Sequence, residues 1–183
     1  MPERAGEEVE ATVRLELLDT RAICLVLAAS DTREQVGARL TSLASQPGFS
    51  PRWAGVGRWF VVSSGDPARL AGLLQEELAG LASILDQSDG QAAIGMTGAS
   101  ARAMLAKGTA IDLHPDSFKL GDAAATLLGH IPVHLTRTGA DDYEILAPRS
   151  YAASLWDSLC EMAAEFGGNA PPAKIDQLRL DGP

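Results

Sequence analysis

The sequence predicts an α+β fold whose sheets are mainly antiparallel. Short segments with the two-residue periodicity of strands follow one another in hairpin-like groups. About four segments with helical periodicity interrupt them. Strands and helices do not alternate regularly, as they would in the βαβ units of a parallel sheet. We therefore expect antiparallel pairing with helices packed on the sheets.

Strands are predicted where apolar residues alternate with polar ones. Val13, Leu15 and Leu17 give the first, and the denser apolar content of the second indicates a central position in its sheet. Residues 51–57 are expected to form a loop, and 91–97 to pair back on 83–87. The predicted strands are 13–17, 21–28, 59–63, 83–87, 91–97, 124–128, 133–136 and 143–147.

Helices are predicted after capping signals. A capping box starts the first helix, an aspartate followed by a proline starts the second, and a serine starts the last, which a glycine ends. The apolar faces of the first and last helices recur at three to four residues. The first helix has the capping box 31–34 and the apolar residues Val36, Leu40 and Leu43. The second begins at Asp66 and Pro67 and extends to about residue 82. The last begins at Ser150 and ends at Gly167.

The segment 98–115 is expected to organise the chain. It reads as a short helix with Lys107 in its last turn and Gly108 as a left-handed cap. A rigid loop follows, in which Ile111 and Leu113 point inward while Asp112 and His114 face the other way.

Composition excludes some classes of partner. The chain has 15 Lys and Arg against 24 Asp and Glu, a net charge of −9. Nucleic acids and anionic membranes attract clustered basic residues, so neither is an expected partner. No segment reaches the roughly 18 apolar residues of a membrane span, and the start has no apolar signal-peptide core. Cys24 and Cys160 are expected to be buried thiols, and the chain is expected to be cytoplasmic.

Three segments are predicted from the distribution of apolar residues. Residues 1–10 form a flexible acidic arm, 11–167 a single α+β domain, and 168–183 an extended C-terminal tail. The tail contains Ile175 and Leu178, which a partner groove would use and a free tail would not need.

The three histidines are candidates for acid–base or metal chemistry. Asp112 and His114 could form an acid–base pair, but Asp112 accepting loop amides is the favoured interpretation because no nucleophile or metal cluster lies nearby. His130 and His134 are four residues apart, yet Pro132 excludes a helical metal pair, so structural roles are favoured.

Other candidates also have simpler explanations. Aromatic residues could flank a planar ligand, but core or interface packing is favoured. A glycine pair before the central helix could bind an anion, but backbone packing is favoured. An arginine–serine pair could bind a carboxylate or be a solvated cation beside a cap. The aromatic residues are Trp53, Trp59 and Phe60, the glycine pair is Gly95 and Gly98, and the arginine–serine pair is Arg149 and Ser150. No catalytic, cofactor-binding or metal-binding residue is predicted.

A family resemblance is carried by several short motifs. These are 106–108, 112–115, Phe118, Gly121, 126–127, 149–152 and 155–156, with 53–59 in the place of a W-x-G-P-D-E-W motif. Together they resemble the gamma subunit of heterotetrameric sarcosine oxidase. Two departures are Thr109, where the family usually has Cys, and 56–58, which replace P-D-E.

The resemblance implies a fold and a function. The fold would be that of the folate-binding domain of the glycine cleavage T-protein and the tRNA-modifying GTPase, with two related antiparallel α+β halves. The chain would be a non-catalytic accessory subunit, with alpha, beta and delta subunits as partners. The complex would oxidatively demethylate sarcosine to glycine, with tetrahydrofolate as one-carbon acceptor. FAD, FMN, NAD, tetrahydrofolate and zinc would be held by the partner subunits and not by this chain.

Two alternatives stay open from the sequence. The chain could be a folate-binding module in its own right, or the equivalent subunit of an N-methylglutamate dehydrogenase complex. A free-standing enzyme is the least supported class, because no nucleophile, base and orienting group are recognisable.

Overall fold

A computed structural model describes residues 12–18 and 20–167 of the chain. The predicted arm at 1–10 and tail at 168–183 lie outside these residues, so the three-segment division stays a prediction. In chain order the elements are β1 (Arg14–Leu17), β2 (Arg21–Ala28), α1 (Arg33–Leu43), β3 (Ser50–Gly55), β4 (Arg58–Ser64), α2 (Pro67–Glu77), β5 (Ala82–Asp86), β6 (Gln91–Thr97), α3 (Ala101–Gly108), β7 (Ala123–Leu128), β8 (Ile131–Arg137), β9 (Asp142–Pro148), a 3-10 turn (Arg149–Tyr151) and α4 (Ala152–Ala164).

Two antiparallel sheets divide the chain into halves. The four-stranded sheet has the order β3-β4-β2-β5, and its chain order is β2-α1-β3-β4-α2-β5. This is the βαββαβ arrangement known as ferredoxin-like. The predicted central position of β2 is confirmed, since it pairs with both β4 and β5.

The five-stranded sheet repeats this arrangement in permuted form. Its order is β1-β6-β9-β8-β7. Strands β6, β8 and β9 take the places that β2, β3 and β4 take in the first half, and β7 is an added edge strand. The place of β5 is taken by β1, which comes from the start of the chain and pairs with β6. The predicted α+β fold with two related antiparallel halves is confirmed.

The sheets pack face to face with their helices outside. In β2, Ala22, Cys24 and Val26 pack against α1 and α2, whereas Ile23 faces the other sheet and meets Leu146. This follows from the alternation of side chains along a strand. The predicted apolar faces of the helices are buried, including Val36, Leu40 and Leu43 in α1, Leu70 and Leu74 in α2, Met104 and Leu105 in α3, and Leu155 and Leu159 in α4.

One predicted helix start is confirmed and two are wrong. Asp66 caps α2 by accepting the amide of Ala68 at 2.9 Å. The capping box 31–34 does not form, because Thr32 and not Asp31 occupies the N-cap position of α1; the Thr32 side chain makes no capping hydrogen bond, and its hydroxyl donates to the Leu81 carbonyl at 2.8 Å. Ser150 does not cap α4, since the 3-10 turn places Tyr151 at the N-cap position.

Three further expectations are wrong. Residues 51–57 are not a loop: β3 occupies most of them as an edge strand, which tolerates Pro51. Strand β6 does not pair back on β5, because the two belong to different sheets. Gly108 is not a left-handed cap; a Cβ there would lie 2.7 Å from Leu128 Cδ1, so glycine is needed for close packing.

Candidate functional site

A cleft of about 640 Å³ lies between the two sheets. Its floor is a row of residues across the five-stranded sheet, in which Glu16 pairs with Gly95, Gly95 with Glu144, and Glu144 with Thr136. The opposite wall includes Arg21 and the first residues of β3, Ser50 and Arg52. Gly95 adds no side chain to the floor, and the Leu18 side chain packs over it, with Cδ1 3.4 Å from the place that a Cβ would take.

A buried ion pair joins the two halves inside this cleft. Arg52 of β3 donates to Glu144 of β9, with Nη1 and Oε1 3.0 Å apart and both side chains under 5% exposed. Arg21 of β2 reaches the other carboxylate oxygen, with Nη2 3.3 Å from Oε2, and also donates to the Ser64 hydroxyl at 2.5 Å. The four-stranded sheet therefore supplies both cations for a carboxylate of the five-stranded sheet.

This arrangement leaves neither carboxylate oxygen of Glu144 without a partner. One oxygen accepts from Arg52 and the other from Arg21, which are charge-assisted hydrogen bonds. Among the residues that the structure describes, Arg21 Nε and Thr136 Oγ1 are buried without a hydrogen-bond partner. Two guanidinium groups around one carboxylate leave one net positive charge, which would favour a carboxylate or another small anion.

Sequence reasoning missed Arg52 and Glu144 as a pair. They are 92 residues apart and meet only because the sheets pack face to face. One signal was available for Glu144, which interrupts the apolar run 143–147 of a predicted strand, whereas Arg52 lies in the segment predicted as a loop and gave no such signal. A charged residue in an otherwise buried strand requires a partner of opposite charge.

The Asp112–His114 loop does not hold an acid–base pair. Asp112 Oδ1 accepts the backbone amide of His114 at 2.9 Å, so the predicted role in holding the loop is confirmed. Hydrogen bonds from the Ser117 side chain and the His114 amide lower the pKa of Asp112. The His114 ring is exposed, and its Nδ1 lies 3.5 Å from Oδ2 of Asp116.

The other two histidines have different environments. His130 lies exposed in the turn between β7 and β8. His134 is buried in the space between the sheets, where its Nε2 donates to the Trp53 carbonyl at 2.9 Å and its ring meets Phe60 edge-on. Burial, with a smaller contribution from the charge of Arg52, lowers the pKa of His134 despite that hydrogen bond.

His134 therefore makes stability depend on pH. Its folded-state pKa lies below the unfolded value of about 6.5, so the unfolded chain binds the proton more readily. We expect the free energy of unfolding to fall as pH drops below about 6.5 and through the folded pKa. Urea titrations between pH 7.5 and 5 should show this fall in the unmodified protein and a smaller one in His134→Gln. His130→Gln is the control and should keep the full dependence; an equal slope in all three proteins would contradict the prediction.

The aromatic candidates are not brought together around one ligand. Trp53 and Trp59 are direct cross-strand partners on one face of the hairpin. Phe60 follows Trp59 and points to the opposite face, toward His134. Trp59 and Phe60 pack against two different cores, so the packing interpretation is confirmed for them. Trp53 is 53% exposed.

Arg149 and the glycines serve packing and turns. Arg149 donates through Nε to the Asp89 carbonyl at 2.7 Å and through Nη2 to the Gln91 carbonyl at 3.3 Å, so it holds a turn. Gly98 has φ +119°, and a Cβ there would lie 2.5 Å from the Thr12 carbonyl oxygen. The backbone-packing interpretation of Gly98 is confirmed.

The two cysteines are free thiols with low reactivity. Burial, together with Asp86, raises the pKa of Cys24 to about 11, and burial also raises the pKa of Cys160. A thiol with a raised pKa is a poor nucleophile and a poor metal ligand at neutral pH. Over 12–18 and 20–167, no group of three or more His, Cys, Asp or Glu residues could hold a metal ion. Within the same ranges, no helix has the length and apolarity needed to cross a bilayer.

Comparison with known proteins gives concordant matches. The chain is 30% identical over 122 residues to sarcosine oxidase subunit gamma of Corynebacterium sp. (strain U-96), which covers 65% of this chain and 58% of that relative. The chain thus spans less than two thirds of that relative's length.

Solved structures match the fold more completely. A chain of heterotetrameric sarcosine oxidase from Corynebacterium sp. U-96, in complex with pyrrole 2-carboxylate, superimposes with a TM-score of 0.76 at 24% identity, covering 88% of this chain and 89% of that one. Glycine cleavage system aminomethyltransferase T from Bartonella henselae gives a TM-score of 0.61 at 16% identity, covering 87% and 48%. These likenesses show the fold. The model of the GCVT N-terminal domain family matches residues 52–182, more than half of the sequence, and the chain belongs to that family.

Proposed function

We propose that the chain is a non-catalytic accessory subunit, of the gamma type, in a heterotetrameric sarcosine oxidase-like complex. The similarity to sarcosine oxidase subunit gamma carries this proposal. The cleft supports it, because both carboxylate oxygens of its buried Glu144 are held by arginines. The complex would oxidatively demethylate sarcosine to glycine, with tetrahydrofolate as the one-carbon acceptor.

The partners and cofactors are part of the same proposal. Alpha, beta and delta subunits would complete the heterotetramer and hold FAD, FMN, NAD, tetrahydrofolate and zinc, while this chain would contribute no catalytic, cofactor-binding or metal-binding residue. We place the complex in the cytoplasm, in keeping with the free thiols of Cys24 and Cys160. Nucleic acid and membrane are not proposed as partners, since the net charge is −9.

Co-expression tests this function. The chain, produced with candidate alpha, beta and delta subunits, should co-purify as one complex that oxidises sarcosine, and native mass measurement should find one copy of each subunit. The chain purified alone should show no sarcosine oxidation and no stoichiometric flavin. Turnover by the isolated chain, or its absence from an active complex, would contradict the proposal.

A second candidate function is folate binding by the chain itself. The open cleft favours it, because tetrahydrofolate carries carboxylates and the cleft wall includes the guanidinium of Arg21, whose side chain is 27% exposed. Calorimetric titration of the isolated chain with tetrahydrofolate separates the two candidates. Saturable micromolar binding that Arg21→Ala weakens favours the folate-binding module, and no heat of binding favours the accessory role.

The substrate has one further alternative. An N-methylglutamate dehydrogenase complex would use an equivalent subunit for the same structural purpose. Assaying the purified complex with sarcosine and with N-methylglutamate distinguishes the two, since the preferred substrate should have the higher kcat/KM.

A further inference from the structure

The joint, which is the layer where the two sheets face each other, has a much smaller apolar core than either half. Over the described ranges, the core beneath the helices has 19 buried apolar residues in the five-stranded half and 10 in the four-stranded half. The joint has a cluster of only four: Ile23, Val62, Ala93 and Leu146. Apolar stabilisation grows with the area buried, so apolar contact holds the joint less strongly than it holds either half.

Side-chain polar contacts also cross the joint. Arg52 and Arg21 of the four-stranded sheet both donate to Glu144 of the five-stranded sheet. His134 of β8 donates through Nε2 to the Trp53 carbonyl of β3 at 2.9 Å. With so small an apolar cluster, the attachment of one half to the other depends on the charge state of these groups.

The ring of His134 fits the joint only in its neutral form. Because Nε2 donates to the Trp53 carbonyl, the neutral ring has a lone pair on Nδ1. That Nδ1 is buried, and the described residues give it no hydrogen-bond partner. Protonation would place there an N–H group without an acceptor and a positive charge without a counter-ion, and both are costly in a buried site.

The charges around the ring increase the cost of that proton. Strand β3 contributes the cation of Arg52, and β4 contributes Arg58, which is exposed. Strand β9 contributes Glu144, but both of its carboxylate oxygens already accept from arginines. Strand β7, which pairs with β8, has no ionisable residue. The surroundings are therefore cationic, and burial together with the charge of Arg52 lowers the pKa of His134.

We propose that protonation of His134 opens the joint, so that the two sheets separate at their facing surfaces while each half keeps its own core. Opening would let water reach the charged ring and would move it away from Arg52. The cores beneath the helices need not open, because their strand residues point away from the joint. The inference rests on contacts within this chain and does not depend on the proposed accessory function.

Opening of the joint would also disassemble the cleft. The walls of the 640 Å³ cleft come from both sheets, so the cleft exists only while the sheets face each other. Any ligand or partner that contacts both walls binds the closed form more tightly than the open one. Such a ligand or partner should be released as the pH falls.

Labelling of two thiols in the same full-length chain tests the inference. Val62→Cys places a thiol in the joint, whereas native Cys24, on the neighbouring strand β2, lies in the core beneath the helices. A dipyridyl disulfide reagent labels both, peptide mass analysis reads them separately, and each rate is divided by that of the urea-unfolded chain at the same pH. From pH 7.5 to 5 the normalised rate at position 62 should rise at least about tenfold, and that of Cys24 should stay constant.

Histidine variants made in the Val62→Cys chain assign the effect to one side chain. His134→Gln keeps a donor for the Trp53 carbonyl but cannot become charged, so labelling at position 62 should no longer depend on pH. His134→Leu, which is also uncharged, serves the same purpose if the glutamine variant does not fold. His130→Gln removes an exposed histidine and should keep the full rise.

Three results would overturn the inference. Constant labelling at position 62 would show that the joint does not open. An equal rise at Cys24 would show that the whole chain unfolds and that the halves do not separate first. A rise that persists in the uncharged variants of His134 would assign the opening to another group.

Discussion

Glu144→Ala should lower the free energy of unfolding by about 3–5 kcal/mol, the largest loss expected from a single side-chain truncation in this molecule. The reason is that Arg52, only 3% exposed, would keep its charge without a partner. Truncation would also remove the acceptor that Arg21 uses across the sheets. For a protein of this size the melting temperature should fall by roughly 6–20 °C, measurable by calorimetry or circular dichroism.

Two control variants test whether the loss comes from the unpaired buried charge. Glu161→Ala removes an exposed carboxylate of α4 and should change stability by less than about 0.5 kcal/mol. The double variant Arg52→Met with Glu144→Leu replaces both charges by apolar groups and should recover most of the loss, because it leaves no buried ion. If Glu144→Ala proves as mild as Glu161→Ala, the ion pair does not hold the halves together.

Gly98→Ala should destabilise the protein by about 3 kcal/mol or more, combining backbone strain with overpacking. The φ of +119° is one that residues with a Cβ rarely adopt, and the new Cβ would lie 2.5 Å from the carbonyl oxygen of Thr12. That oxygen also accepts the amide of Ser100 at 3.0 Å, so the first residues of the described chain cannot move away without losing a hydrogen bond. Chemical denaturation with the slope m held constant is the appropriate measurement.

Gly72→Ala is the matched control for this substitution. Gly72 lies inside α2, and a Cβ there would meet no heavy atom within 4 Å. Alanine favours the helix over glycine, so this variant should gain about 0.5–1 kcal/mol. Opposite signs for the two glycine substitutions are expected; a loss of similar size in both would contradict the close approach at Gly98.

The sequence predicted elements whose signals are local. Strand β2 and helix α2 follow from periodicity and from the Asp66–Pro67 start, and these signals survive in the structure because no tertiary contact competes with them. The family resemblance supplied the two-half fold, which periodicity alone does not contain. Strand β3 was missed because Pro51 and Gly55 read as loop residues, although an edge strand accepts both.

The cleft could not be predicted, because its key contact is non-local. Arg52 and Glu144 come from different sheets, and no feature of either segment specifies the other. The start of α1 shows the same limit. Asp31 and Glu34 have the spacing of a capping box, but the helix begins one residue later, at the N-cap Thr32, whose hydroxyl donates to the Leu81 carbonyl 49 residues away. Local signals therefore predict elements well and predict the pairing of side chains between elements poorly.

The position of β1 has a consequence for biosynthesis. Strand β1 is made before the four-stranded half, whereas its partner β6 and the neighbour of β6, β9, are made only after that half. On the ribosome the β2–β5 unit is free to fold as soon as it emerges, while β1 waits with its apolar residues Val13 and Leu15 uncovered. The docking of β1 on β6 therefore comes late in folding, and until β6 and β9 have been made the uncovered apolar residues leave the nascent chain open to chaperone capture and aggregation.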